Sequence, residues 1–153
     1  MNKITAFLAS TLFLGVTLSL GISPALAAPK DDAMALVTKA VAHVKDVGKE
    51  KALAEFNDPK GAFVKGELYV FAYSLEGVIV AHPMNPKLVG KDMTEVKDSD
   101  GKLFTKEFIA TVNGPGKGWV DYNWTNPTSK KIEAKSSYVA KAGDIFVGCG
   151  IYK

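Results

Sequence analysis

The stretch Gly118 to Tyr138, GWVDYNWTNPTSKKIEAKSSY, carries two tryptophans and two tyrosines and places a lysine, Lys135, among them. An ammonium group beside aromatic rings suits one task well, which is holding a small organic anion: the rings exclude water and the lysine offers a compact charge. His82, in the run VIVAHP, adds a hydrogen-bond donor. Tyr73, Tyr122 and Tyr138 add hydroxyls, while Trp119 and Trp124 supply apolar walls with one N–H each. Together these are the parts of a small carboxylate pocket. The same residues also make a plain aromatic core with Lys135 snorkelling to the surface, and composition does not choose between the two.

Other chemistries lack their parts. The two histidines and single cysteine are too few and too far apart for the usual zinc sets. DSDG at Asp98–Gly101 opens like a calcium loop, but Ile109 stands where the bidentate acid belongs, so the segment reads as a turn and no metal is expected. There is no haem-attachment motif, nucleophile elbow or phosphate-binding loop. Asp121 and Glu133 read as solvent-facing strand residues rather than an acid and base. Catalysis is not expected, and neither is a cofactor.

The elements that must position these groups follow from periodicity. Met34, Val37, Val41 and Val44 recur at helical spacing, predicting a helix over Asp31 to Val47 capped by Asp31 and Asp32, with His43 a boundary residue. Gly48 interrupts it, and EKALAEFN restarts a shorter helix ended by NDPKG. FVKGELYVFAYS and VIVAHP read as a strand hairpin turning at Gly77. Alternation puts Tyr69, Phe71 and Tyr73 on one face and Leu68, Val70 and Ala72 on the other, so the sheet needs cover on both sides. A nineteen-residue loop, PMNPKLVGKDMTEVKDSDG, precedes a short helix, KLFTKEFIATVN. A loop of that length in a compact domain suggests a functional one. GWVDYNWT, IEAKSSYVAK and DIFVGCGIYK complete an antiparallel α+β domain. On the first of these three strands Trp119, Asp121 and Asn123 share one face and Val120, Tyr122 and Trp124 the other, so the aromatics cannot all line one pocket.

Residues 1–27, a single Lys3 followed by an apolar run and Ala25-Leu26-Ala27, read as a secretory signal cleaved after Ala27. Residues 28–153 are then one domain in the periplasm or outside the cell, with no anchor after cleavage. Cys149, the sole cysteine, is expected to be buried. Every one of the nineteen cations is a lysine, so a bidentate guanidinium clamp is excluded, and the balance against sixteen acids is too even for a nucleic-acid surface.

The order of motifs resembles the single Cache domains, PAS-like extracytoplasmic sensor modules, specifically their second type. The resemblance rests on AEFNDPKGAFVKGELYVFAYSLEGVIVAHPMNPKLVGKDM, DGKLF, GKGWVDYNWTNP, KSSYV and VGCGIY, and covers about Ala33 to Tyr152. It implies a five-stranded antiparallel sheet with a long N-terminal helix on one face. The other face would carry a pocket, formed with loops and the short helix, for acetate, propionate, lactate or pyruvate. It further implies Phe71, Tyr73, His82, Trp119, Tyr122, Trp124, Lys135 and Tyr138 as ligand-binding residues, with Lys135 neutralising the carboxylate. Cache domains of this kind feed a receptor or kinase module, whereas this sequence stops just after its last strand. The expectation is a free-standing binding module that engages a separately encoded membrane receptor or kinase. The alternative is an accessory docking module with no working pocket. Oligomeric state is not set by these residues.

Overall fold

A computed structural model describes residues 27–153, so the secretory signal expected over residues 1–27 lies, apart from Ala27, outside the described residues. The elements are α1 (Ala27–Val47), α2 (Lys49–Phe56), β1 (Val64–Lys65), β2 (Leu68–Tyr69), β3 (Phe71–Ser74), β4 (Ile79–Ala81), a 3-10 turn (Pro86–Leu88), α3 (Phe104–Asn113), β5 (Lys117–Thr125), β6 (Ile132–Ala142) and β7 (Ile145–Tyr152). Five strands form one antiparallel sheet in the order β4-β3-β7-β6-β5, and β1 and β2 make a separate small hairpin. The fold is therefore the expected α+β arrangement of a long helix, a short helix and a five-stranded antiparallel sheet.

The sheet separates two cores. Even-numbered positions of β6 pair with odd-numbered positions of β7, as in Ser136↔Ile151 and Tyr138↔Cys149, and point toward α1. There Val70, Ala72, Val147, Cys149 and Ile151 pack with Ala33, Val37 and Ala40 of α1 and with Phe56 and Phe63. On the opposite face Tyr69, Phe71, Tyr73, Tyr122, Val139 and Phe146 pack with Phe104, Phe108 and Val112 of α3. Each fully buried aromatic or aliphatic side chain stabilises the fold by about 1.5–3 kcal/mol.

Three expectations change in detail. The long helix is already under way at Ala27, so Asp31 and Asp32 lie inside it as exposed residues and do not cap it. Its buried stripe runs through Ala33, Val37 and Ala40 while Met34 is exposed, because small side chains let the helix lie close on the sheet. The run FVKGELYVFAYS is not one strand: Gly66, at φ 62°, turns β1 back on β2, and Val70 separates β2 from β3. The face alternation of Tyr69, Phe71 and Tyr73 survives that break. Among the described residues no helix is long and apolar enough to cross a membrane.

Candidate functional site

Antiparallel register determines what meets Lys135. It stands opposite Tyr122 of β5 on one side and Tyr152 of β7 on the other, so all three side chains emerge on the α3 face. Lys135 does not snorkel; it is 1% exposed. Its Nζ lies 2.8 Å from Tyr69 Oη and 3.3 Å from Tyr152 Oη. It also sits 4.3 Å from the centre of the Tyr69 ring, 4.7 Å from that of Tyr152 and 5.7 Å from that of Phe71. The lysine can lie this deep because Gly150 is next to it. A Cβ at position 150 would come 2.5 Å from Lys135 Cε and 2.2 Å from Ser137 Oγ. Gly148 does the same for Phe71, whose ring carbons would be 2.4 and 2.5 Å from an added Cβ. Two glycines on the central strand thus make a trough in the sheet.

No carboxylate of the described residues pairs with Lys135 within 4.0 Å. Burial without a counter-charge pulls the amine down from its ordinary 10.5 to about 7. The same desolvation holds the Tyr69 and Tyr122 phenols well above their usual range and raises Tyr73 too. Tyr122 Oη shares a hydrogen bond with Ser137 Oγ at 3.0 Å, and its ring stacks on Phe104 with centres 4.7 Å apart.

His82 is held from two directions. Its backbone N–H donates to Asn57 Oδ1 at 3.0 Å, and Asn57 in turn donates through Nδ2 to Leu53 O and Val80 O, tying the end of α2 to β4. The Asn85 backbone N–H donates to His82 Nδ1 at 3.0 Å, which leaves the neutral ring with its proton on Nε2. Burial first, and Lys135 second, lower this imidazole from 6.5 to about 4. At neutral pH it is an uncharged donor.

Tyr69, Phe71, Tyr73, His82, Phe104, Tyr122, Trp124 and Lys135 line a cavity of about 10 Å³, room for about one water molecule. Outside it lies an open cleft of about 320 Å³, bordered by Met84, Asn85, Leu88, Thr125, Pro127 and Lys130. Tyr69, His82 and Trp124 border both and form the partition between them.

Six of the eight residues singled out in the sequence are therefore gathered on one face: Phe71, Tyr73, His82, Tyr122, Trp124 and Lys135. Trp119 and Tyr138 are not. They point to the α1 face, where their rings lie 5.4 Å apart and Lys30 Nζ sits 5.1 Å over Trp119. The cause is strand alternation, which puts Trp119 opposite Tyr138 and one residue out of phase with Tyr122 and Lys135. Tyr138 instead borders a groove of about 400 Å³ between α1 and the β5–β6 edge. Sequence reasoning missed Tyr69, Tyr152, Phe104 and the positioning residue Asn57. Tyr69 could have been found, since it shares a face with Phe71 and Tyr73; Tyr152 depends on strand register, Phe104 on how α3 packs on the sheet, and Asn57 on long-range side-chain hydrogen bonds. Asp121 is exposed and pairs with Lys153 at 3.1 Å, while Glu133 accepts from Asn126 Nδ2 at 2.8 Å, so the two do not converge as an acid and base. His43 is half-buried against Phe63 and bonded to Glu55 at 2.7 Å, a boundary residue as expected.

Comparison with known proteins agrees with this architecture. The model of the Single Cache domain 2 family matches residues 32–153. A methyl-accepting chemotaxis protein, McpP of Pseudomonas putida, is 31% identical over 86 residues, or 55% of this chain and 16% of that protein. The chain thus spans under a fifth of that relative's length. A solved periplasmic sensor domain of a chemotaxis protein is 32% identical with a TM-score of 0.66, covering 84% of this chain and 93% of that one. A Cache chemosensory domain described for its carboxylic acid recognition is 26% identical with a TM-score of 0.71, over 86% of this chain and 98% of that one.

Proposed function

The chain belongs to the Single Cache domain 2 family, a family of extracytoplasmic sensor domains, and on that premise we propose that it is a periplasmic binding module for a small monocarboxylate such as acetate, propionate, lactate or pyruvate. The observation that carries this reading is Lys135: a lysine sealed among aromatic rings with no acid within 4.0 Å among the described residues. Lysines are almost never buried without a partner, and a carboxylate ligand would be that partner. Tyr69 and the Nε2–H of His82 are the neighbouring donors, Tyr152 spending its hydroxyl proton on Thr125 O at 3.0 Å, and Phe71, Tyr73, Phe104, Tyr122 and Trp124 are the apolar walls.

Entry requires movement. The inner cavity has room for about one water, so an acid must displace the Tyr69–His82–Trp124 partition toward the open cleft. Asn85, which fixes the His82 ring, belongs to the long loop after β4, and that loop is the segment placed to yield. Ligand size limits the affinity: at about 1.5 kcal/mol per heavy atom, pyruvate reaches roughly 9 kcal/mol, near micromolar, and acetate less.

Cleavage of the secretory signal after Ala27 and read-out through a separately encoded membrane receptor or kinase belong to the same proposal. The test is a thermal-shift panel of C2 to C6 organic acids on the purified chain and on Lys135→Ala. A selective rise in melting temperature that is lost in the variant is expected. A folded protein that responds to no acid would overturn the reading in favour of an accessory docking module.

A further inference from the structure

We infer that the site takes a proton as a co-ligand: each monocarboxylate anion that enters draws one proton from solvent onto Lys135 Nζ, so the ammonium–carboxylate pair forms where neither charge stood before. The inference rests on the carboxylate reading above and adds what that reading leaves open, the charge state in which the empty site waits.

The geometry leaves no other source of the charge. From β2 and β7 the amine faces the hydroxyls of Tyr69 and Tyr152. From β5 it faces Tyr122, from β3 Phe71 and Tyr73, and from the end of β4 His82; α3 contributes only Phe104. Cys149, on the far face of β7, is a buried thiol pushed up to about 11. Glu133, one pleat away on β6, is bound to Asn126 and Ser129. Of these only Glu133 is negatively charged near neutral pH, and its carboxylate is held by Asn126 and Ser129 and makes no pair with Nζ within 4.0 Å; an amine at about 7 in such surroundings is largely uncharged above that pH. Nor can a neighbour lend the proton. The phenols of Tyr69 and Tyr122 are held well above their ordinary range, and His82 is already neutral with its remaining Nε2–H needed as a donor.

The balance is therefore one acid anion, one solvent proton and one neutral amine giving one internal ion pair, with no net charge carried into the aromatic cavity. Apparent affinity then follows the protonated fraction of Lys135. It falls roughly fifty-fold between pH 7 and pH 9, approaching about tenfold per pH unit only above pH 8.

Isothermal titration of the purified chain with acetate, propionate and pyruvate at pH 8.5, in two buffers of different ionisation enthalpy, measures protons taken up per acid bound. In parallel, carbon NMR of the lysine Cε signals, with Lys135→Met to assign position 135, follows that amine from pH 5 to 11 without and with acid. The expected result is close to one proton per acid, with a Lys135 signal that titrates near 7 in the free chain and moves toward 10 in the bound one. Acid binding without proton uptake, or a free-chain Lys135 that titrates near 10, would overturn the co-ligand inference while leaving the carboxylate site intact. A Lys135 that titrates near 7 in a chain that binds none of the three acids would overturn both.

Discussion

Burying a lysine without a partner should leave a mark on stability that needs no ligand to detect. The Lys135 amine lies at about 7 in the folded chain against 10.5 when exposed. Between those values the unfolded chain binds the extra proton, so folding stability rises with pH. The gain has a ceiling of 1.36 kcal/mol per pH unit and integrates to about 2 kcal/mol between pH 7 and pH 9. For a domain of this size that is a melting temperature higher by roughly 6 to 10 °C. The window is clean. His82, lowered to about 4, completes its own stabilising contribution by pH 6.5. Cys149, raised from 9.0 to about 11, and the buried phenols act mainly above pH 9, their retained protons beginning to lower stability just below it as pH climbs. Urea unfolding at half-unit pH steps on the wild-type chain and on Lys135→Met measures the effect. The variant should be flat between pH 7 and pH 9. A wild-type curve that is flat or falling there, or a variant that keeps the slope, would refute the argument that Lys135 is desolvated without a counter-charge.

Two further outcomes test the geometry. Gly148→Ala would place a methyl 2.4 Å from the Phe71 ring and 3.0 Å from Val139 Cγ1, and should lower the urea midpoint by the equivalent of about 1–3 kcal/mol with the slope unchanged; an unmoved midpoint would mean the trough has slack. Trp124→Phe should weaken acid binding about tenfold, or about 1.4 kcal/mol, by altering the partition, whereas Trp119→Phe, on the α1 face, should leave the acid-induced thermal shift unchanged; the reverse result would invert the face assignment.

Much of this was legible in local pattern. Period-two alternation told that Trp119 and Trp124 must part company, and helical spacing placed both helices ahead of β1. What alternation cannot say is which face is which, because both carry aromatics; that is decided by α1, whose small Ala33 and Ala40 seat it against Val147 and Cys149. The contact between Lys135 and Tyr152 depends on the lengths of the turns that set the β5–β6–β7 register, and a one-residue slip would have sent Lys135 to the other side. Asn57 was unreadable for a different reason: it reaches residues 23 and 25 positions downstream through side-chain hydrogen bonds that leave no periodic trace. The start of α1 was misplaced because Asp31 and Asp32 look like caps wherever a helix could begin.

The central strand gives every second residue to each core: Ile145, Val147, Cys149 and Ile151 to one, Phe146, Gly148, Gly150 and Tyr152 to the other. An accepted substitution at Tyr152 or Trp124 therefore changes what the cavity can hold without touching the surface on which α1 rests. Such a fold is divisible under mutation. Its ligand preference can drift while the helix and its packing stay as they are, and a change in the helix can be accepted without recasting the cavity.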